Sequence, residues 1–108
     1  MTKVLKLTIK RKWADLIISG KKPWEYRGNV PYYKSRLLEH MGEFSQIRVY
    51  DEIHLFIGGY LGYDLPHIKI KWKSQSRAGL MLPQNGEIVN PNDFALDVSE
   101  ILEVKNNN

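Results

Sequence analysis

The run Gly20-Lys21-Lys22-Pro23-Trp24-Glu25-Tyr26-Arg27 brings two lysines, a carboxylate and a guanidinium within eight residues. A lysine held in a cleft beside a second cation suits a base or nucleophile, because desolvation and like charge both disfavour the ammonium. An ionised glutamate alongside opposes that effect and turns the pair into a preorganised binding floor. Lys22 and Glu25 are therefore the catalytic pair if the chain is an enzyme, and the floor of a ligand site if it is not. Arg27 offers a planar fork to a phosphate or carboxylate, and Lys21 points to solvent or to phosphate. The alternative is an ordinary ion pair of Glu25 with Arg27, which when exposed contributes only about 0–1 kcal/mol.

The elements that must position these groups follow from periodicity. Val4 to Ile9 alternates as a half-buried strand, and Trp13, Leu16 and Ile17 recur at helical spacing, which predicts a helix over about 11–19 with Gly20 as its left-handed cap. After Pro23, alternation over Trp24 to Arg27 predicts a strand that puts Glu25 and Arg27 on one face and Trp24 and Tyr26 on the other. Gly28 to Pro31 reads as a loop, and Tyr33 to His40 as a helix presenting Tyr33, Leu37, Leu38 and Met41 to the core. Ile53, Leu55 and Ile57 form a third strand ending at Gly58-Gly59, before a glycine-rich segment carrying Tyr60 and Tyr63. Ile68, Ile70 and Trp72 alternate with Lys69, Lys71 and Lys73, predicting a strand with one apolar and one cationic face. Ser74 to Gly86 lacks periodicity and reads as a long loop of the kind that often carries function. Asn90-Pro91-Asn92-Asp93 turns the chain into a strand from Phe94 to Val98, continued through Ile101 to Val104.

The octet and the strand and helix before it resemble the ASCH domain, a branch of the PUA-like family with the signature Gly-x-Lys-x-x-Glu-x-Arg, read here as Gly20, Lys22, Glu25 and Arg27. The resemblance covers the first quarter closely and the remainder as an order of strands that includes Asp51 to Phe56 and ends near Val104. It implies an α+β fold, a small PUA-like β-barrel with one or two flanking helices and a cleft for RNA or a nucleotide-like ligand. Two other roles follow from the same resemblance. One is a small hydrolase, either a ribonuclease or an acylated-nucleoside amidohydrolase. The family's acetylcytidine amidohydrolases carry a threonine nucleophile where this chain has Glu25. The other is a protein-interaction adaptor.

Charge is uneven. Residues 1–36 hold ten Lys or Arg against Asp15 and Glu25, a balance of +8, and the remainder is −4, giving the net +4. Such asymmetry suits a polyanion partner. The ligand-binding set is accordingly Lys21, Lys22, Glu25, Arg27, Lys69, Lys71 and Lys73, with Tyr60 and Tyr63 available to stack on bases. With no cysteine and three scattered histidines, His40, His54 and His67, neither a thiolate zinc site nor another metal centre is expected, and no cofactor motif is present. At 108 residues the chain fits one domain, taken as 1–105 with a frayed tail over 106–108. No apolar run approaches the ~20 residues that span a bilayer. A soluble, cytoplasmic protein with an RNA, nucleotide-like or protein partner and no membrane association is the resulting expectation.

Overall fold

The computed structural model describes residues 2–106. Strand β1 (Val4–Ile9) leads into helix α1 (Arg11–Ile18), β2 (Trp24–Arg27), α2 (Pro31–Leu37) and a hairpin of β3 (Leu38–Met41) and β4 (Phe44–Ile47). Then come β5 (Glu52–Ile57), β6 (His67–Lys71), β7 (Gln75–Arg77), a 3-10 turn at Ala78–Leu80, β8 (Phe94–Asp97) and β9 (Ile101–Lys105). The strands form three separate sheets: a four-stranded sheet in the order β1-β5-β6-β9, a three-stranded sheet β2-β8-β7, and the hairpin β3-β4. Among the described residues only β1 and β5 run parallel.

Register explains the core. Leu5 and Leu7 of β1 stand beside Ile53 and Leu55 of β5, which stand beside Ile70 and Ile68 of β6. These rows are fully buried and meet Ala14 and Ile17 of α1 together with Phe94, Leu96 and Val98 from the smaller sheet. Alternation thus sends one face of the large sheet into the core, as the sequence pattern requires.

The PUA-like barrel is not what forms. The four-stranded sheet ends on β1 at one edge and β9 at the other, which do not pair, and the remaining strands lie in sheets of their own, so nothing closes. A barrel needs the last strand to return to the first. Here the predicted strand from Phe94 to Val104 breaks: Asp97 accepts hydrogen bonds from the Ser99 N–H and hydroxyl, at 3.0 and 2.6 Å, and the chain crosses from the smaller sheet to the larger. The fold is a small α+β domain of mixed open sheets.

Other elements also differ. The helix expected to reach His40 stops at Leu37, because Leu38 is already extended and Gly42, at φ 64°, closes a two-residue turn pairing Met41 with Phe44. Met41 is exposed, not in the core. Within the aperiodic stretch after Ser74, Gln75–Arg77 becomes a strand by pairing with β8. No helix among the described residues is long and apolar enough to cross a membrane. In the predicted tail, Asn106 accepts a hydrogen bond from Arg11, and residues 107 and 108 lie outside the described residues.

Candidate functional site

The end of α1 builds the site. Ser19 closes the helix, Gly20 takes the left-handed conformation at φ 80°, and the N–H groups of Lys21 and Lys22 both return to the Leu16 carbonyl, at 3.0 and 3.1 Å. This tight reversal turns the Lys22 side chain inward, where it is 1% exposed. Its ammonium stands 3.4 Å from Glu25 Oε1, hydrogen-bonds Glu87 Oε1, and lies 4.9 and 5.3 Å from the ring centres of Tyr26 and Trp13. A buried ammonium is tolerated only with such partners.

Strand β2 supplies the other half. Glu25 Oε2 accepts from Arg27 Nε at 3.2 Å and from Nη2 at 2.6 Å, a two-pronged pairing. Arg27 Nη2 also donates to the Thr8 carbonyl at 2.8 Å, and Nη1 to the Tyr33 hydroxyl at 3.0 Å. Burial pulls the guanidinium toward neutrality, but Glu25 and Tyr33 outweigh it and hold its pKa above the usual value. The Glu25–Arg27 pair is therefore not an exposed one: the two side chains are 7% and 11% accessible. Lys22, Glu25, Arg27 and Glu87 make a buried quartet of two cations and two carboxylates.

Above Glu25, Arg27 and Glu87 opens a cleft of about 770 Å³, with Lys22 lying behind Glu87 and outside its lining. Glu25, Arg27 and Thr8 form its floor, Trp13, Tyr26 and Ile9 its apolar side, Gly58 and Gly59 one wall, and Gly86 to Val89 its rim. Burial, reinforced by the negative charge of Glu87, raises the Tyr26 pKa above its usual value, so at neutral pH the phenol keeps its proton as a donor.

Of the residues singled out in the sequence, only Lys22, Glu25 and Arg27 converge. Lys21 is exposed and its carbonyl accepts from Asn85 at 3.1 Å. Tyr60 is 78% exposed and does not line the cleft. Tyr63 lies on the far face of the large sheet, its hydroxyl 2.7 Å from Nδ1 of buried His54, whose Nε2 is 2.8 Å from Glu52. The tautomer with Nε2–H donating to Glu52 leaves Nδ1 to accept from Tyr63. Lys6 and Lys69 stand over the Tyr63 ring at 5.3 and 5.5 Å.

The cationic face of β6 is matched by acids from the last turn and strand: Lys69 pairs with Glu103 at 3.0 Å and Lys71 with Glu100 at 3.8 Å. Their hydrogen bond raises the Lys69 pKa and lowers that of Glu103. Lys73 lies beyond the end of the strand. What reads in sequence as a bare lysine stripe is an ion-paired surface, because β9, thirty residues on, lies beside it.

Sequence reasoning missed Glu87, which is 65 positions from Lys22 and just beyond the flagged loop. The usable signal was Asn85-Gly86, a dipeptide that favours a turn with two positive φ angles. Trp13, read as core, packs there and also walls the cleft.

These findings correct the functional expectations. The RNA- or nucleotide-binding cleft, the hydrolase and the adaptor all came with a barrel that does not form. Lys69 and Lys71, meant for phosphates, are paired with acids, and the tyrosines meant for bases lie elsewhere. Among the described residues no group of three or more His, Cys, Asp or Glu is placed to hold a metal. Comparisons of the chain with protein-family models, with curated proteins and with solved structures give no match.

Proposed function

We propose that this domain is a receptor module for a small organic molecule, which seats over Glu25 with its apolar part against Trp13 and Tyr26. The observation that carries this reading is the cleft itself: about 770 Å³, aromatic along one side, polar at its floor. That size and mixture are typical of small-molecule sites. The charged floor is rigid because Glu25 is gripped by Arg27 from its own strand while Arg27 is held by Thr8 and Tyr33. Binding is favoured over turnover because each ionised group of the quartet is already the partner of another.

The test uses three compounds sharing one ring and differing in charge: benzoate, benzamide and benzylamine. Trp13 reports directly on occupancy by fluorescence, and melting temperature gives a second readout. At least one compound is expected to change both in the wild type. Val89→Trp, which fills the cleft from its rim, should weaken that response by about tenfold, the penalty for one overfilled pocket contact. If none of the three changes either signal up to its solubility limit, the receptor reading is wrong.

A further inference from the structure

Resting on that reading, we infer that the molecule bound is a monocarboxylate and that Glu87 is its internal stand-in, occupying the Lys22 ammonium until the ligand displaces it. The four charges of the quartet are not held alike. Lys22, Glu25 and Arg27 come from α1's cap and from β2, both fixed in the body of the domain. Glu87 alone arrives on the segment between the 3-10 turn and β8. Among the described residues no backbone hydrogen bond joins residues 82–89 to a strand.

The tip of this segment is a self-contained turn. Asn85 and Gly86 have φ angles of 62° and 73°, and the Glu87 N–H returns to the Gln84 carbonyl at 3.3 Å. Two consecutive positive φ angles are those of a type I′ turn, so the tip is preformed. Among the described residues its polar attachments to the body are the Glu87–Lys22 ion pair and the bond from Asn85 to the Lys21 carbonyl. Two apolar side chains of the segment are left uncovered: Leu82 is 89% exposed, and Ile88, on the cleft rim, is 99% exposed. A molecule in the cleft would give Ile88 a surface to cover.

Charge balance then selects the ligand. With the tip lifted, two buried cations share Glu25 alone, and Lys22 keeps a single carboxylate at 3.4 Å. An ammonium so nearly enclosed resists losing a counter-charge, so the tip leaves when another carboxylate takes its place. One charge is missing, which a monoanion restores and a dication or neutral molecule does not. The carboxylate would take the place on Lys22 that Glu87 vacates, beside the Tyr26 ring, and the organic remainder would fill the cleft that Glu87 lines.

The test is calorimetric titration of wild type and Glu87→Gln with benzoate, benzamide and benzylamine. Removing the internal competitor should tighten benzoate binding about tenfold or more, since apparent affinity scales with the fraction of molecules whose site is open. Benzamide should change little, and Lys22→Met should lose benzoate. Should Glu87→Gln prove poorly folded with one counter-charge taken from Lys22, acetate should raise its melting temperature in a dose-dependent way and leave the wild type nearly unmoved. Benzoate affinity unchanged or weakened in Glu87→Gln, no rescue by acetate, or a preference for benzylamine would overturn the stand-in while leaving the receptor reading intact. Failure of all three compounds on both proteins would overturn both.

Discussion

Arg27 donates to Glu25 through Nε and Nη2, to Thr8 and to Tyr33, and this set of bonds makes Glu25 the most constrained carboxylate of the site. The sequence reading treats the pair as exposed, in which case Glu25→Gln would leave stability nearly unchanged. Burial reverses that expectation. Glutamine keeps the shape but removes the charge shared by two enclosed cations, and breaking a buried pair from one side costs about 3–5 kcal/mol. Urea denaturation of Glu25→Gln should therefore show a loss of that size at unchanged m-value. A loss below about 1 kcal/mol would mean the pair behaves as a solvated one.

At the scale of elements, the turn after β7 governs where Glu87 is carried. The Gly79 N–H bonds the Pro91 carbonyl at 2.9 Å, tying the two ends of the long segment together. A Cβ on Gly79 would lie 3.1 Å from both Pro91 Cβ and the Pro91 carbonyl oxygen, a ring and a backbone atom with little freedom to give. Gly79→Ala should destabilise the domain by about 1–3 kcal/mol, the usual penalty for overpacking, and should displace the Glu87 tip with it. Thermal melting measures the first effect. An Ala variant as stable as wild type would show that this junction yields easily. By contrast, an added Cβ at Gly20 meets nothing within 4 Å, and there the constraint is the backbone angle alone.

For the whole molecule, burial is concentrated in the large sheet and its packing partners, while every residue of β4 and most of β3 is exposed. The hairpin is tied at its base, where Gln75 donates to the carbonyls of Leu37 and Arg48 and Tyr50 bonds the Arg36 carbonyl. A two-stranded ribbon without a buried face is marginal by itself. Hydrogen exchange across a denaturant series should then show amides of 39–46 opening locally, several kcal/mol below the amides of Leu7, Leu55 and Ile68, which should exchange only through global unfolding. A common opening free energy for both groups would show that the hairpin is an integral part of the cooperative unit.

Local chemistry was legible without coordinates. The period-2 rows of β1, β5 and β6, the helix cap at Gly20 and the shared face of Glu25 and Arg27 depend on residues a few positions apart, and steric and hydrophobic periodicity act at that range. The Lys22, Glu25 and Arg27 cluster was readable for the same reason. Sheet membership was not: alternation marks Phe94 to Val98 and Ile101 to Val104 as strands but carries no information on which neighbour each one pairs with, so one broken strand read as continuous, and the barrel implied by the family resemblance had no pairing signal in the chain to check it. Nor does composition reveal pairing, which is why three lysines on β6 and after it looked like a polyanion surface until β9 and the turn before it placed Glu103 and Glu100 beside Lys69 and Lys71. Glu87 is the sharpest case. Its meaning arises only when the chain brings it 65 positions back to a buried ammonium, a juxtaposition set by tertiary packing and encoded by no local pattern.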